Sequence, residues 1–138
     1  MIKDENALQE IRKQWDGVMV LRQRIKANLF GSVAGRGTFS HFVADCANNL
    51  PFLHACSVLN EALELMRDEG VFTGKGRTLG TLVELSQNQV SWVNYSAVTK
   101  MVEKRNDLAH RAALLPRVDC WGYLDVIEAE LRSWSIIE

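Results

Sequence analysis

Three side chains of one short segment have the residue types for work on an anion: Arg105, Asn106 and His110. On a helix, at about 100° per residue, Arg105 falls inside the arc of apolar residues, and Asn106 and His110 are one turn apart at its edge. A guanidinium stays charged and presents a planar fork that matches phosphate oxygens. Imidazoles exchange protons near neutral pH. The segment therefore combines anion binding with proton transfer, and the amide of Asn106 is close enough to orient the imidazole.

Arg105 also has a purely structural interpretation. Burying an unpaired guanidinium costs several kilocalories per mole, so the side chain needs an anionic partner or a water-filled cleft. A carboxylate on a neighbouring helix would supply that partner, the candidates being Glu61, Glu64 and Asp45. His110 would then be a surface residue. From spacing alone this interpretation is favoured, because structural ion pairs outnumber catalytic ones.

Apolar residues at three- and four-residue steps predict the helices that would position this segment. The first helix is predicted over residues 5–29. Glycines then interrupt the pattern, and a second helix is predicted to end near Asn48 and Asn49. Pro51 fits the first turn of a third helix, where its missing N–H costs nothing. Whether the second and third helices form one kinked rod is left open by the sequence.

The second half of the chain predicts three more helices. A short one spans about residues 81–87, and the helix that carries Arg105 runs over about 95–113, where Pro116 follows it. Asp119 is predicted to cap the last helix. Strand-like alternation and internal repeats are lacking, and the connections are short. The prediction is an all-α fold, an antiparallel bundle of about five to six helices.

Composition limits the classes of protein to which the chain can belong. Its 138 residues, 47% hydrophobic and 24% charged, suit a single domain over residues 1–138, with a long N-terminal helix in 1–30 and the bundle in 39–138. The net charge of −1 means that any polyanion must be bound by a local patch. The charged start and the lack of a long apolar run argue against a signal peptide and a membrane span, so we expect a soluble cytoplasmic protein.

Cysteine and histidine spacing gives no support for a metal or a cofactor. An odd number of cysteines without a CxxC pair favours free thiols in a reducing cytoplasm. The pairs His41 with Cys46 and His54 with Cys56 lack a second ligand pair at zinc spacing. The glycine-rich residues 74–78 (GKGRT) lack the phosphate-loop pattern and do not follow a strand. A basic turn is the better interpretation of that segment.

Residues 105–110 (RNDLAH) resemble the signature of the HEPN superfamily: an arginine, four residues and a histidine, often with a polar residue directly after the arginine. The context agrees, because in that family the motif lies near the C-terminal part of an all-α bundle and is followed by one further helix. Residues 78–85 also resemble the short helix that precedes the family's motif helix. The resemblance extends from about Phe39 to the C-terminus.

The resemblance implies a function and a set of site residues. Many HEPN members are metal-independent endoribonucleases, commonly toxins of toxin–antitoxin or other defence systems, and they usually dimerise with the two motifs facing across a cleft. By this resemblance Arg105 and His110 are catalytic, Asn106 supports them, RNA is the substrate, and a cognate antitoxin or regulatory protein is a partner. A single chain supplies one such histidine, so a homodimer is expected. Four other cations are candidates for RNA contacts: Lys75, Arg77, Arg111 and Arg117.

The sequence departs from one branch of the family. Toxins paired with nucleotidyltransferase antitoxins carry a modified tyrosine two residues after the histidine, where this chain has Ala112. Inactivation by adenylylation at that position is therefore not expected. Other members are non-catalytic modules that bind a protein or a nucleic acid, but those often lose the arginine or the histidine. Such a binding or regulatory module is the alternative function, and a regulatory partner of a larger effector is a third.

Overall fold

The computed structural model describes residues 2–27 and 41–138, with side chains from residue 46 onward in the second segment. Five α-helices occupy these residues, and no strand is found within them. In chain order they are α1 (Glu5–Lys26), α2 (His41–Asp68), α3 (Leu79–Ser86), α4 (Tyr95–Arg111) and α5 (Arg117–Ser133). The predicted all-α helical bundle is confirmed. None of the described helices is long and apolar enough to cross a membrane.

Helix α1 is fixed at its start by two carboxylates. Asp4 caps the helix by accepting a hydrogen bond from the backbone N–H of Ala7. Glu69, just beyond the end of α2, accepts hydrogen bonds from the backbone N–H groups of Lys3 and Asp4. The apolar face predicted from the sequence is the buried one: Leu8, Ile11, Trp15, Val18 and Ile25. Helix α1 ends at Lys26, and the end predicted at residue 29 lies outside the described residues.

Helix α2 continues through the point at which the sequence predicted a stop. The predicted end near Asn48 and Asn49 is wrong, and Pro51 lies inside one helix rather than in the first turn of a new one. Proline cannot donate to the carbonyl four residues earlier, which weakens a helix locally. Tertiary packing compensates for this loss, because α2 packs against α1, α3 and α5. Asn49 itself is only 2% exposed and is held by the tertiary structure.

The core lies on both sides of α2. Its largest fully buried side chains include Phe52, Leu59, Leu63 and Met66 from α2 and Leu124, Ile127 and Leu131 from α5. Cys46, Cys56 and Cys120 are free cysteines, as their odd number predicted, and the latter two are buried in this core. Helix α5 begins at Arg117 with Pro116 as its N-terminal cap and without a side-chain cap. The cap predicted at Asp119 is therefore wrong; its carboxylate lies in the first turn, where negative charge complements the helix dipole.

Candidate functional site

The start of α4 is held by a buried carboxylate from α5. Glu130 is fully buried and accepts hydrogen bonds from the backbone N–H groups of Val93, at 2.7 Å, and Asn94, at 2.9 Å. Asn94 in turn caps the helix by accepting from the N–H of Ala97. These bonds satisfy donors that a helix N-terminus otherwise leaves unpaired. Helix α4 is thereby fixed relative to α5 at its first turn.

The other end of α4 is held by a buried amide from α2. The side chain of Asn49 donates to the carbonyl of Leu115 and accepts from its N–H, both at 3.0 Å. Helix α4 ends at Arg111, two residues earlier than predicted, and Ala112 adopts a left-handed conformation with φ 52°. The α4–α5 connection is therefore tied to the middle of the bundle, and the last turn of α4, with His110, is placed by it.

Arg105 is half-buried on α4, as its place in the apolar arc predicted. Its neighbours one turn earlier on the same face, Met101 and Val102, are buried. The guanidinium Nη1 donates to the Oδ1 of Asn106 at 3.4 Å. Within the described residues it forms no ion pair, so neither Glu61 nor Glu64 is its partner. The side chain of the third candidate, Asp45, lies outside the described residues.

The guanidinium of Arg105 lies near the buried thiol of Cys56 on α2. Burial raises the pKa of the Cys56 thiol to about 12, the positive charge of Arg105 acts in the opposite direction, and Cys120 of α5 adds to the rise. Arg105 is therefore close to the meeting point of α2, α4 and α5. A thiol with such a raised pKa stays protonated and is a poor nucleophile. Sequence spacing gave no signal for this neighbour, because Cys56 lies 49 positions away along the chain.

His110 is exposed in the last turn of α4, and within the described residues its ring forms no hydrogen bond or ion pair. Asn106 was predicted to orient the imidazole, but its amide oxygen is bonded to Arg105 instead. The structure therefore brings Arg105 and Asn106 together and leaves His110 separate, facing solvent. In one chain, the three residues do not form a single hydrogen-bonded group.

Lys75 and Arg77 are exposed on the connection between α2 and α3. Their position relative to α4 follows from the way in which α3 packs on α4. A Cβ added to Gly80, in the first turn of α3, would lie 3.5 Å from Val102 of α4. At the other end of α3 the hydroxyl of Tyr95 donates to the carbonyl of Val83 at 3.3 Å. Helices α3 and α4 are therefore antiparallel, and the two cations precede the end of α3 that faces the middle of α4.

The remaining cations predicted to contact RNA flank the end of α4. Arg111 is exposed in the last helical turn, next to His110. Arg117, at the start of α5, lies over the ring of Trp121, with its guanidinium carbon 5.7 Å from the ring centroid. That geometry is a cation–π contact, which gives Arg117 a structural role of its own.

The glycines of the basic turn are explained by packing. Gly74 has φ +143°, and a Cβ added to it would lie 2.6 Å from the side chain of Leu85. A Cβ added to Gly76, with φ +149°, would overlap the side chain of Thr81. The carbonyl of Gly76 also accepts a hydrogen bond from Arg67. The two glycines let this irregular connection pack closely on α3.

We expect Gly76→Ala to lower the free energy of unfolding by about 1–3 kcal/mol, the cost typical of a residue forced into a sparsely populated backbone region. Gly122→Ala is the matched control, since Gly122 lies in α5 with nothing within 4 Å of an added Cβ. Alanine there is expected to raise stability by about 0.5–1 kcal/mol. Urea denaturation measures both changes, and equal effects would contradict the packing explanation.

Comparison with family models, with curated proteins and with solved structures gives no match. Within the described part of the chain, no group of three or more histidine, cysteine or acidic residues is placed to hold a metal ion. A function must therefore be argued from Arg105, His110 and the way in which α4 is held.

Proposed function

We propose that this protein is a metal-independent endoribonuclease of the HEPN type that acts as a homodimer. The observation that carries the proposal is the half-buried guanidinium of Arg105, which has no carboxylate partner among the described residues. Partial burial of an unpaired charge costs free energy, and a bound phosphate would offset that cost. A guanidinium that serves only the fold would be expected to pair with a carboxylate, and none of the described carboxylates pairs with Arg105.

The chemistry follows from the two side chains. The 2′-hydroxyl of RNA loses its proton to a base and attacks the adjacent phosphorus, while an acid protonates the 5′-oxygen that leaves. The product is a 2′,3′-cyclic phosphate. Arg105 would stabilise the negative charge that develops on the phosphate oxygens. His110 and its symmetry mate in the second subunit would serve as base and acid, since each imidazole can take either role.

The exposure of His110 supports a site shared between two subunits. An imidazole that completes its site across a twofold axis has to lie at the surface of the isolated chain, as His110 does. Lys75, Arg77 and Arg111 are exposed and would bind the RNA backbone. By its resemblance to the HEPN superfamily, such an enzyme would be a toxin or a defence nuclease, with an antitoxin or a regulatory protein as its partner.

The test uses purified wild type and His110→Ala with single-stranded RNA in excess EDTA. Wild type is expected to cleave RNA but not DNA and to leave 2′,3′-cyclic phosphate ends. His110→Ala is expected to be at least about 100-fold slower, the loss typical of a missing general acid or base. Lys100→Ala, an exposed change on the same helix, is the control and should keep wild-type activity.

A mixing experiment tests whether the site is shared. If both imidazoles act in one site, an equimolar mixture of wild type and His110→Ala keeps about a quarter of the wild-type activity, because random pairing leaves that fraction of intact dimers. Independent sites would keep about half. Equal cleavage by wild type and His110→Ala would overturn the catalytic proposal. RNA binding without cleavage would instead identify the protein as a non-catalytic module.

A further inference from the structure

A groove of about 400 Å³ lies between α1 and α2, and neither Arg105 nor His110 is among its lining residues. Buried Ile11 and Val58 form its apolar floor. Glu10 of α1 and Glu61 of α2, both exposed, are the two charged side chains among its lining, and none of the described lining residues is a lysine or an arginine. This volume falls within the range of small-molecule sites, about 300–1,000 Å³. We call this cavity the α1–α2 groove.

The two carboxylates belong to opposite walls of the α1–α2 groove. Helices α1 and α2 are antiparallel: Glu69 beyond the end of α2 bonds to the backbone of Asp4, and His54 farther back along α2 bonds to Gln14. Between these two contacts, Glu10 and Glu61 come at corresponding positions along the helix pair. Two negative charges therefore border the same part of a groove whose floor is apolar.

A hydrogen-bonded chain orients one of these carboxylates. The amide nitrogen of Gln14 donates to the Oε1 of Glu10 at 3.2 Å. The amide oxygen of Gln14 then pairs with the Nε2 of His54 at 2.8 Å, and since that oxygen only accepts, the ring nitrogen donates. Glu61 has no hydrogen bond or ion pair within the described residues. Both carboxylates therefore retain oxygens that can accept bonds from a cation.

We propose that the α1–α2 groove binds a small aliphatic amine. Its ammonium group lies between Glu10 and Glu61, and its hydrocarbon chain lies on Ile11 and Val58. Charge complementarity selects the cationic head, and the apolar floor selects an alkyl body without anionic groups. This site is independent of the proposed ribonuclease activity, because no residue is shared between them.

The probe is n-pentylamine, titrated at millimolar concentrations into the full chain and followed by NMR chemical shifts. We expect saturable shifts at residues that line the α1–α2 groove. The uncharged n-pentanol, of the same length, is expected to bind at least tenfold more weakly. Equal affinity for n-pentanol and n-pentylamine would overturn the proposal, since the carboxylates would then have no part in binding. An absence of saturable shifts with n-pentylamine would overturn it as well.

Two double variants with equal changes in net charge test whether n-pentylamine binds in the α1–α2 groove. Glu10→Gln with Glu61→Gln is expected to weaken n-pentylamine binding at least tenfold. Glu84→Gln with Glu103→Gln removes two exposed carboxylates elsewhere and is expected to bind as wild type does. Equal weakening in both pairs would overturn the proposal, because it would show non-specific attraction by net charge.

A variant that fills the groove provides a second test without a change in charge. Ala7 lines the groove on α1, and Ala7→Phe is expected to prevent n-pentylamine binding while the circular dichroism spectrum stays that of a folded helical protein. Wild-type affinity in folded Ala7→Phe would overturn the location. Should Ala7→Phe fail to fold, the charge-matched pairs still decide the question.

Discussion

Replacing Glu130 by alanine is expected to lower the free energy of unfolding by about 3 kcal/mol. The carboxylate is fully buried and holds the N–H groups of Val93 and Asn94 at the start of α4. Each hydrogen bond to a charged group contributes about 1.5–3 kcal/mol, and the truncated side chain also leaves a cavity. Val93 and Asn94 are exposed, so water can partly replace the lost bonds to their N–H groups. The expected loss therefore lies near the lower end of the summed hydrogen-bond contributions.

Urea denaturation of wild type and three variants, Glu130→Ala, Glu130→Gln and Glu128→Ala, measures this effect. Glu130→Gln keeps the shape but has a single acceptor oxygen for two N–H donors, so an intermediate loss is expected. Glu128→Ala is the matched control on the same helix, because Glu128 is partly exposed and forms a 3.7 Å ion pair with the exposed Arg132. That change is expected to cost less than about 1 kcal/mol. A loss in Glu130→Ala no greater than in Glu128→Ala would contradict the role assigned to Glu130.

The helices that follow clear apolar periodicity could be predicted from the sequence. The buried residues of α1 and α5 recur mostly at the three- and four-residue steps from which these helices were predicted. This agreement has a physical reason: an amphipathic helix carries its burial pattern within its own residues. Such patterns fix the ends of helices less closely. The predicted start of α3 is two residues late, and so is the predicted end of α4.

The sequence left open whether the second and third predicted helices form one rod, and it could not decide because α2 is stabilised near Pro51 by tertiary contacts. Asn48, Asn49 and Pro51 are unfavourable for a helix in local terms. The partner of Asn49 is Leu115, 66 residues away along the chain. The burial of Glu130, unlike the role of Asn49, could have been inferred from the sequence, since Glu130 occurs at helical spacing from buried Ile127 and Trp134. A carboxylate on an apolar stripe is a signal for a buried acceptor, and that signal was present in the sequence.

The candidate site was only partly predictable for the same reason. Helical spacing gave the half-burial of Arg105 but not the thiol of Cys56 beside it, which belongs to another helix. The predicted pairing of Asn106 with His110 assumed that residues one turn apart interact. The amide oxygen of Asn106 accepts a hydrogen bond from the guanidinium of Arg105 instead, at 3.4 Å.

Arg105→Met is expected to separate activity from stability. In the proposed enzyme the loss of the guanidinium lowers the rate of RNA cleavage by about 100- to 1000-fold, as removal of one donor that stabilises developing charge typically does. The free energy of unfolding is expected to stay unchanged or to rise by about 1 kcal/mol. The reason is that methionine fills a similar half-buried space and removes a charge that has no carboxylate partner among the described residues.

Arg22 provides the matched comparison, because it is also partly buried, with its side chain 18% exposed, but pairs with Asp125 at 2.8 Å. Arg22→Met is expected to lose about 1 kcal/mol of stability and to retain wild-type cleavage. Cleavage rates in EDTA and urea denaturation of both variants give the four values needed. If Arg105→Met instead lost stability and kept its activity, the guanidinium would serve the fold, as a paired one does, and Arg105 would have no part in cleavage.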